Sequence, residues 1–178
     1  MISKEIDSKI REVLDFPKKG ISFKDITPLL MDKNLSDKII LEFKSRVMDF
    51  DIDAVIGIES RGFLYGFLLA NKLGVPFIPI RKKGKLPADT VGIDYELEYG
   101  TDRLEIHTDS VSSAEKVLLV DDLIATGGTA VAAAKLIEQV GGIVTECAFI
   151  VDLPDLGGSQ KLASLKYKSF SLCEFEGE

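Results

Sequence analysis

The sequence predicts an α/β fold: a central, mostly parallel sheet flanked by helices, with a small N-terminal hood and an inserted, flexible β-hairpin lid. Three observations predict it. Short apolar runs recur along the chain, as DAVIGI at 53–58, VPFIPI at 75–80, KVLLV at 116–120 and VTECAFIVDL at 144–153. Helical patterns, FLYGFLLANKL at 63–73 and AVAAAKLIEQV at 130–140, alternate with them. Apolar strands alternating with helices of that length form a parallel sheet covered on both faces. The third observation is segment 86–109. There Tyr95, Leu97 and Tyr99, then Leu104 and Ile106, alternate with polar residues around Gly100-Thr101-Asp102. That is a hairpin signature, and a long excursion from a compact α/β core serves as a lid.

The elements follow in order. Residues 3–14 place Ile6, Ile10, Val13 and Leu14 on one helical face. Segment 15–30 mixes Pro, Gly and apolar residues and reads as an ordered, non-repetitive hood spanning about 1–34 in all. A second helix starts near Ser36, a suitable N-cap, and turns Ile39, Ile40, Phe43 and Val47 inward. With 178 residues and no internal repeat, the chain is expected to form one domain.

Composition excludes several classes. Hydrophobic residues make up 46% and charged residues 29%, which is ordinary for a globular protein. The net charge of −7 opposes any general affinity for nucleic acid or anionic membrane. The N-terminus has no signal-peptide core, and no apolar run reaches the length of a bilayer span. Cys147 and Cys173 read as reduced thiols in or near the core, so a cytoplasmic location is expected. Against this acidic background the run Arg81-Lys82-Lys83-Gly84-Lys85 stands out.

The strongest chemical signal is VLLVDDLIATGGTA at 117–130. Ligands of parallel sheets bind beyond the carboxyl ends of the strands, where this loop must lie. Thr126-Gly127-Gly128-Thr129 opens a helix, so backbone amides, a helix N-terminus and two hydroxyls converge on an anion. Asp121 and Asp122 would repel a phosphate placed beside them. They instead suit a ribose diol or a hydrated cation a few ångströms away, so a sugar phosphate satisfies both halves. The GxxxxGK[ST] pattern of a P-loop is absent. A second signal, Glu59-Ser60-Arg61-Gly62, offers an oxyanion cradle at a helix start, and the basic run follows the next strand.

At Val117–Val120, Asp121, Asp122 and Thr126-Gly127-Gly128-Thr129 the chain resembles the type I phosphoribosyltransferase family. The resemblance implies that the acidic pair contacts the ribose hydroxyls. It further implies that Ala125, Thr126, Gly127, Gly128 and Thr129 hold the 5-phosphate of phosphoribosyl diphosphate. Mg²⁺ is implied as cofactor, held mainly by the substrate, with Asp121 and Asp122 reaching it through water. Ser60, Arg61 and Gly62, with Arg81, Lys82 and Lys85, would then meet the diphosphate.

The likeness is strongest to the adenine branch of that family and covers nearly the whole chain, through DFP…G…F-D-I-T-P-L, ES-RGF, IRKKGKLP and YELEYGTDRLEIH. It implies that Phe23 and Leu156 sandwich the base while the main chain at Ser22 and Lys24 reads its edge. Ser22 departs from the apolar residue common there. Branches acting on 6-oxopurines carry an aspartate in the phosphate loop, where this chain has Ala125, so any side-chain acid or base must come from elsewhere. The resemblance names Glu98 in the lid. His107, the one histidine, reads as a bystander. Adenine and phosphoribosyl diphosphate are the implied substrates, AMP and diphosphate the products, and a homodimer the implied assembly. The alternatives are another nucleobase acceptor, or a non-enzymatic sensor of phosphoribosyl diphosphate. A sensor would need a nucleic-acid surface for which this chain has neither room nor charge.

Overall fold

The computed structural model describes residues 1–16, 18–96 and 100–175. Helix α1 (Ile2–Asp7) leads into the antiparallel pair β1 (Arg11–Leu14) and β2 (Ser22–Asp25), then α2 (Thr27–Met31) and α3 (Lys33–Val47). Next come β3 (Ala54–Ile58), α4 (Arg61–Leu73), β4 (Phe77–Lys82), and the hairpin strands β5 (Thr90–Glu96) and β6 (Thr101–His107). The remainder is β7 (Lys116–Ile124), α5 (Gly128–Gln139), β8 (Ile143–Asp152), a 3-10 turn (Pro154–Leu156), α6 (Gly158–Ser164) and β9 (Ser169–Glu174).

Among the described residues the main sheet has the order β5-β6-β4-β3-β7-β8-β9. From β4 to β9 every pairing is parallel, and the β5–β6 hairpin joins antiparallel at the β4 edge. The pleat sorts side chains to two faces. Val55, Leu118, Val120, Ala148 and Ile150 pack with Ile39, Phe43 and Val47 of α3 and with Tyr65 and Leu69 of α4. Ala54, Ile56, Ile58, Val117 and Leu119 pack with the alanine-rich α5 and with Leu162 of α6. Each large aliphatic or aromatic side chain taken fully out of water contributes roughly 1.5–3 kcal/mol. No described helix is long and apolar enough to cross a membrane.

Several expectations are corrected. The helix expected over 3–14 ends at Asp7, because Arg11–Leu14 pairs with Ser22–Asp25 instead. Positive φ at Asp15 (58°) and Gly20 (91°) turns the chain, and Gly20 donates its amide to Asp15 Oδ1 at 2.7 Å. Cross-strand pairing thus wins over a local helical pattern that four residues satisfied equally well. Helix α3 starts earlier than Ser36: Asp32 is the N-cap, its Oδ1 accepting from the Leu35 amide at 3.1 Å, while Ser36 Oγ donates to Leu29 O. Strand β7 does not stop at Val120. It carries both aspartates as strand residues, since β8 keeps pairing with it through Asp121↔Phe149, Leu123↔Val151 and Ile124↔Asp152. Helix α6 and strand β9 add to the elements expected from the sequence.

Candidate active site

The carboxyl ends of β3, β4 and β7 open on one cavity of about 530 Å³, a size suited to a small organic ligand. Its walls include Ser60, Arg61, Lys82, Lys85, Asp121, Asp122 and the run Ala125–Thr129. The fold therefore gathers in one place the three sequence signals that were read separately.

At the floor, the end of β7 meets the start of α4. Arg61, the first residue of α4, donates Nε to Asp122 Oδ2 at 2.5 Å, and the Asp122 side chain is 4% exposed. Gly62 permits that approach: a Cβ there would lie 2.7 Å from Val120 O and 2.9 Å from Asp121 Oδ1. Burial works against the Arg61 charge, but Asp122, Asp121 and Asp25 outweigh it and raise its pKa. Burial, reinforced by the negative neighbour Asp122, pushes the Asp121 carboxyl well above the usual range. The amide of Asp122 donates to Asp121 Oδ1 at 2.9 Å.

The anion loop follows directly. Gly127 caps α5 in the left-handed region, at φ 76°, and Gly128 and Thr129 form the first turn. No side chain caps this helix, so its leading amides stay open to a ligand. Strand β5 covers the loop closely: a Cβ on Gly128 would lie 3.1 Å from Glu96 O and 4.0 Å from the Tyr95 ring. Burial raises the Tyr95 pKa, and its hydroxyl lies near Thr129 and Asp102.

The third wall is basic but already paired. Glu59, at the end of β3, accepts the Lys82 amide at 2.8 Å, Lys85 Nζ at 2.9 Å and Arg81 at 3.3 Å. Burial would raise the Glu59 carboxyl, but these donors prevail and bring it to about 2. Lys82 Nζ reaches across to Asp102 Oδ2 of β6 at 3.0 Å. The Arg81 guanidinium also donates to Lys85 O at 3.1 Å and does not line the cavity. The Glu59–Ser60 peptide bond is cis.

The residues assigned to the base lie to one side. Phe23, on β2, sits 6.0 Å from the Arg61 guanidinium and makes an edge contact with Phe16 at 5.1 Å. The side chains of Ser22 and Lys24 turn to Glu12, at 2.6 and 2.9 Å. Leu156 is 40% exposed on the 3-10 turn. Neither Phe23 nor Leu156 is part of the cavity wall. Glu98 lies outside the described residues, as do Leu97 and Tyr99. His107 has its Nε2 buried without a partner and takes no part in the cavity.

Sequence reasoning gave no role to Glu59, Tyr95 or Asp102, all of which line the cavity. Glu59 stood inside the quoted ESRG motif, and an acid before an arginine and ahead of a basic run was a usable signal.

A divalent Mg²⁺ prefers an octahedral set of oxygen ligands. The described residues form no cluster of three or more His, Cys, Asp or Glu, and Asp122 is engaged by Arg61. The chain thus offers carboxylate oxygens for outer contacts, which fits a cation whose inner ligands come from a polyanionic substrate.

A parallel sheet with an acidic pair and an anion loop at one strand end defines a class, and comparison agrees. A family model described as "Phosphoribosyl transferase domain" matches residues 31–174, and the chain belongs to that family. Within it, an adenine phosphoribosyltransferase of Methylobacillus flagellatus is 59% identical over 96% of this chain and 97% of its own. Among solved structures, adenine phosphoribosyltransferase from Thermoanaerobacter pseudethanolicus superposes with a TM-score of 0.93 at 49% identity, covering 98% of this chain and 100% of that one. The Saccharomyces cerevisiae enzyme, crystallised with an iminoaltritol bisphosphate and adenine, gives 0.89 at 38% identity, covering 96% and 98%.

Proposed function

We propose that this chain transfers 5-phosphoribosyl from 5-phospho-α-D-ribose 1-diphosphate to adenine, giving AMP and diphosphate. The observation that carries the reading is the juxtaposition, in one cavity, of the Asp121-Asp122 pair with the open amides of Gly127–Thr129. Adenine as acceptor is supported by the relatives' common activity and by Ala125, which leaves the phosphate loop without a carboxylate.

The transfer develops positive charge at the anomeric carbon and negative charge on the departing diphosphate, so catalysis rests on positioning and electrostatics. Ala125–Thr129 bind the 5-phosphate, and Asp121 and Asp122 accept the ribose hydroxyls. Ser60 and Gly62 present the start of α4 to the diphosphate, with Arg61, Lys82 and Lys85 as its cations and Arg81 set behind Glu59. Asp121 and Asp122 would reach a substrate-held Mg²⁺ through water, and the ion would supply further charge neutralisation. Phe23 and Leu156 close on the base, the main chain at Ser22 and Lys24 reads its edge, and Glu98 of the lid acts on the base. The hairpin at 86–109 excludes water.

A homodimer is part of the reading, supported by Leu64, Phe67 and Leu68, which stand exposed side by side on α4. A cytoplasmic place is supported by the two buried free thiols. The test is incubation with donor, Mg²⁺ and each nucleobase separately, following diphosphate release. Adenine should be the preferred acceptor. Equal or better turnover with another base would overturn the assignment, and no release with any base would leave only a donor-sensing role.

A further inference from the structure

The anion loop is supported by a second element, and the support is a contact between two glycines. Gly127 and Gly158 touch backbone to backbone: a Cβ on Gly127 would lie 2.9 Å from Gly158 Cα and O. A Cβ on Gly158 would lie 2.8 Å from Gly127 N and 2.7 Å from Ile124 Cγ1, and closer still to Ala125 O. Atoms do not come this near, so any side chain at 158 must move the loop backbone or the first turn of α6.

The neighbouring Gly157 is a glycine for another reason. Its φ is 76°, and a Cβ there would meet nothing within 4 Å. Gly157 therefore answers a conformational need at the end of the 3-10 turn, whereas Gly158, whose φ lies outside the left-handed region, answers a need for space.

We propose that Gly158 is a positioning residue for the donor's 5-phosphate: its bare Cα lets the first turn of α6 buttress Ala125–Gly127 and hold the loop amides on the anion. This rests on the assignment of 125–129 as the phosphate loop. The physical reason is that an amide cradle works through the direction of successive N–H groups. A displacement of a few tenths of an ångström at Gly127 N, the atom Gly158 faces, spoils that direction. The same turn also joins the phosphate loop to Leu156, two residues upstream, so both ends of the nucleotide product are served by one short segment.

The test is calorimetric binding of ribose 5-phosphate and, separately, of adenine to the wild type, Gly157→Ala and Gly158→Ala, with a thermal midpoint for each. Gly158→Ala should lose about tenfold or more in affinity for ribose 5-phosphate, with a matching rise in KM for the donor and kcat little changed. Gly157→Ala should lower the thermal midpoint and keep ribose 5-phosphate affinity within about twofold. Wild-type affinity in Gly158→Ala, or losses in both variants that simply follow their thermal midpoints, would overturn the proposal. A wild type that itself ignores ribose 5-phosphate would instead overturn the phosphate-loop assignment. Should Gly158→Ala not fold, amide exchange on the wild type decides. Ribose 5-phosphate should slow exchange at Lys161, whose amide donates to Gly157 O at 2.9 Å. Protection confined to 126–129 would overturn the coupling.

Discussion

Arg61 and Asp122 are joined at 2.5 Å, tying the first residue of α4 to the carboxyl end of β7. Asp122→Asn should therefore do two things at once: weaken the hold on the ribosyl donor and leave Arg61 without its partner. A lost charge-assisted hydrogen bond costs on the order of 2 kcal/mol, so kcat/KM for the donor should fall roughly thirtyfold. Adenine binding should change little. Arg61→Gln combined with Asp122→Asn should cost less than the sum of the two, because the groups share one interaction. Asp121→Asn and Asp122→Asn variants with wild-type donor kinetics would remove the acidic pair from the mechanism.

Glu59 predicts an acid-dependent loss of stability. Its carboxyl titrates at about 2 in the fold against an ordinary 4.5. A depressed folded value means the stabilisation is fully present above 4.5 and drains away as the pH falls toward 2. Between about pH 6 and pH 3 the wild type should lose on the order of 2 kcal/mol that Glu59→Gln does not lose. Urea unfolding at a series of pH values measures the difference, and parallel curves for the two proteins would refute the assignment.

Phe23→Ala separates a base platform from ordinary packing. Stacking on a base is worth roughly 1–3 kcal/mol, so KM for adenine should rise by about one to two orders of magnitude while KM for the donor holds. The edge contact with Phe16 means some stability will be lost as well. Destabilisation without a selective rise in adenine KM would make Phe23 a packing residue only.

For Glu98, Gln preserves shape and an amide hydrogen bond, whereas Leu preserves neither. If Glu98 moves a proton, both variants should lose about 10²-fold in kcat. If it only holds the base, Gln should stay near wild type and Leu should not. Full kcat in both would leave Glu98 without a catalytic part.

The strands β3, β4, β7 and β8 and the helices α4 and α5 were legible because apolar runs and helical periods are local signals. The turn that opens α5 was legible for the same reason, its acids, glycines and threonines lying in one contiguous stretch. What escaped was settled by distant partners. Residues 11–14 become a strand because 22–25 are there to pair, and β7 runs on through two aspartates because β8 continues beside it. The contact of Gly127 with Gly158 joins residues far apart in the chain, and no spacing rule reveals it.

The pairing of Arg61 with Asp122, Lys82 with Asp102, and Lys85 with Glu59 makes the resting cavity an internal salt. A ligand enters such a site by ion exchange, taking each cation from a carboxylate that already holds it. Chloride or acetate, with one charge and no chelating geometry, competes poorly with an anchored carboxylate, whereas a diphosphate engages several cations together. A site paired in this way would filter anions by valence before base or sugar is recognised. On the proposed reading, transfer of Arg61 to the diphosphate would release Asp122 as the sugar diol arrives to need it.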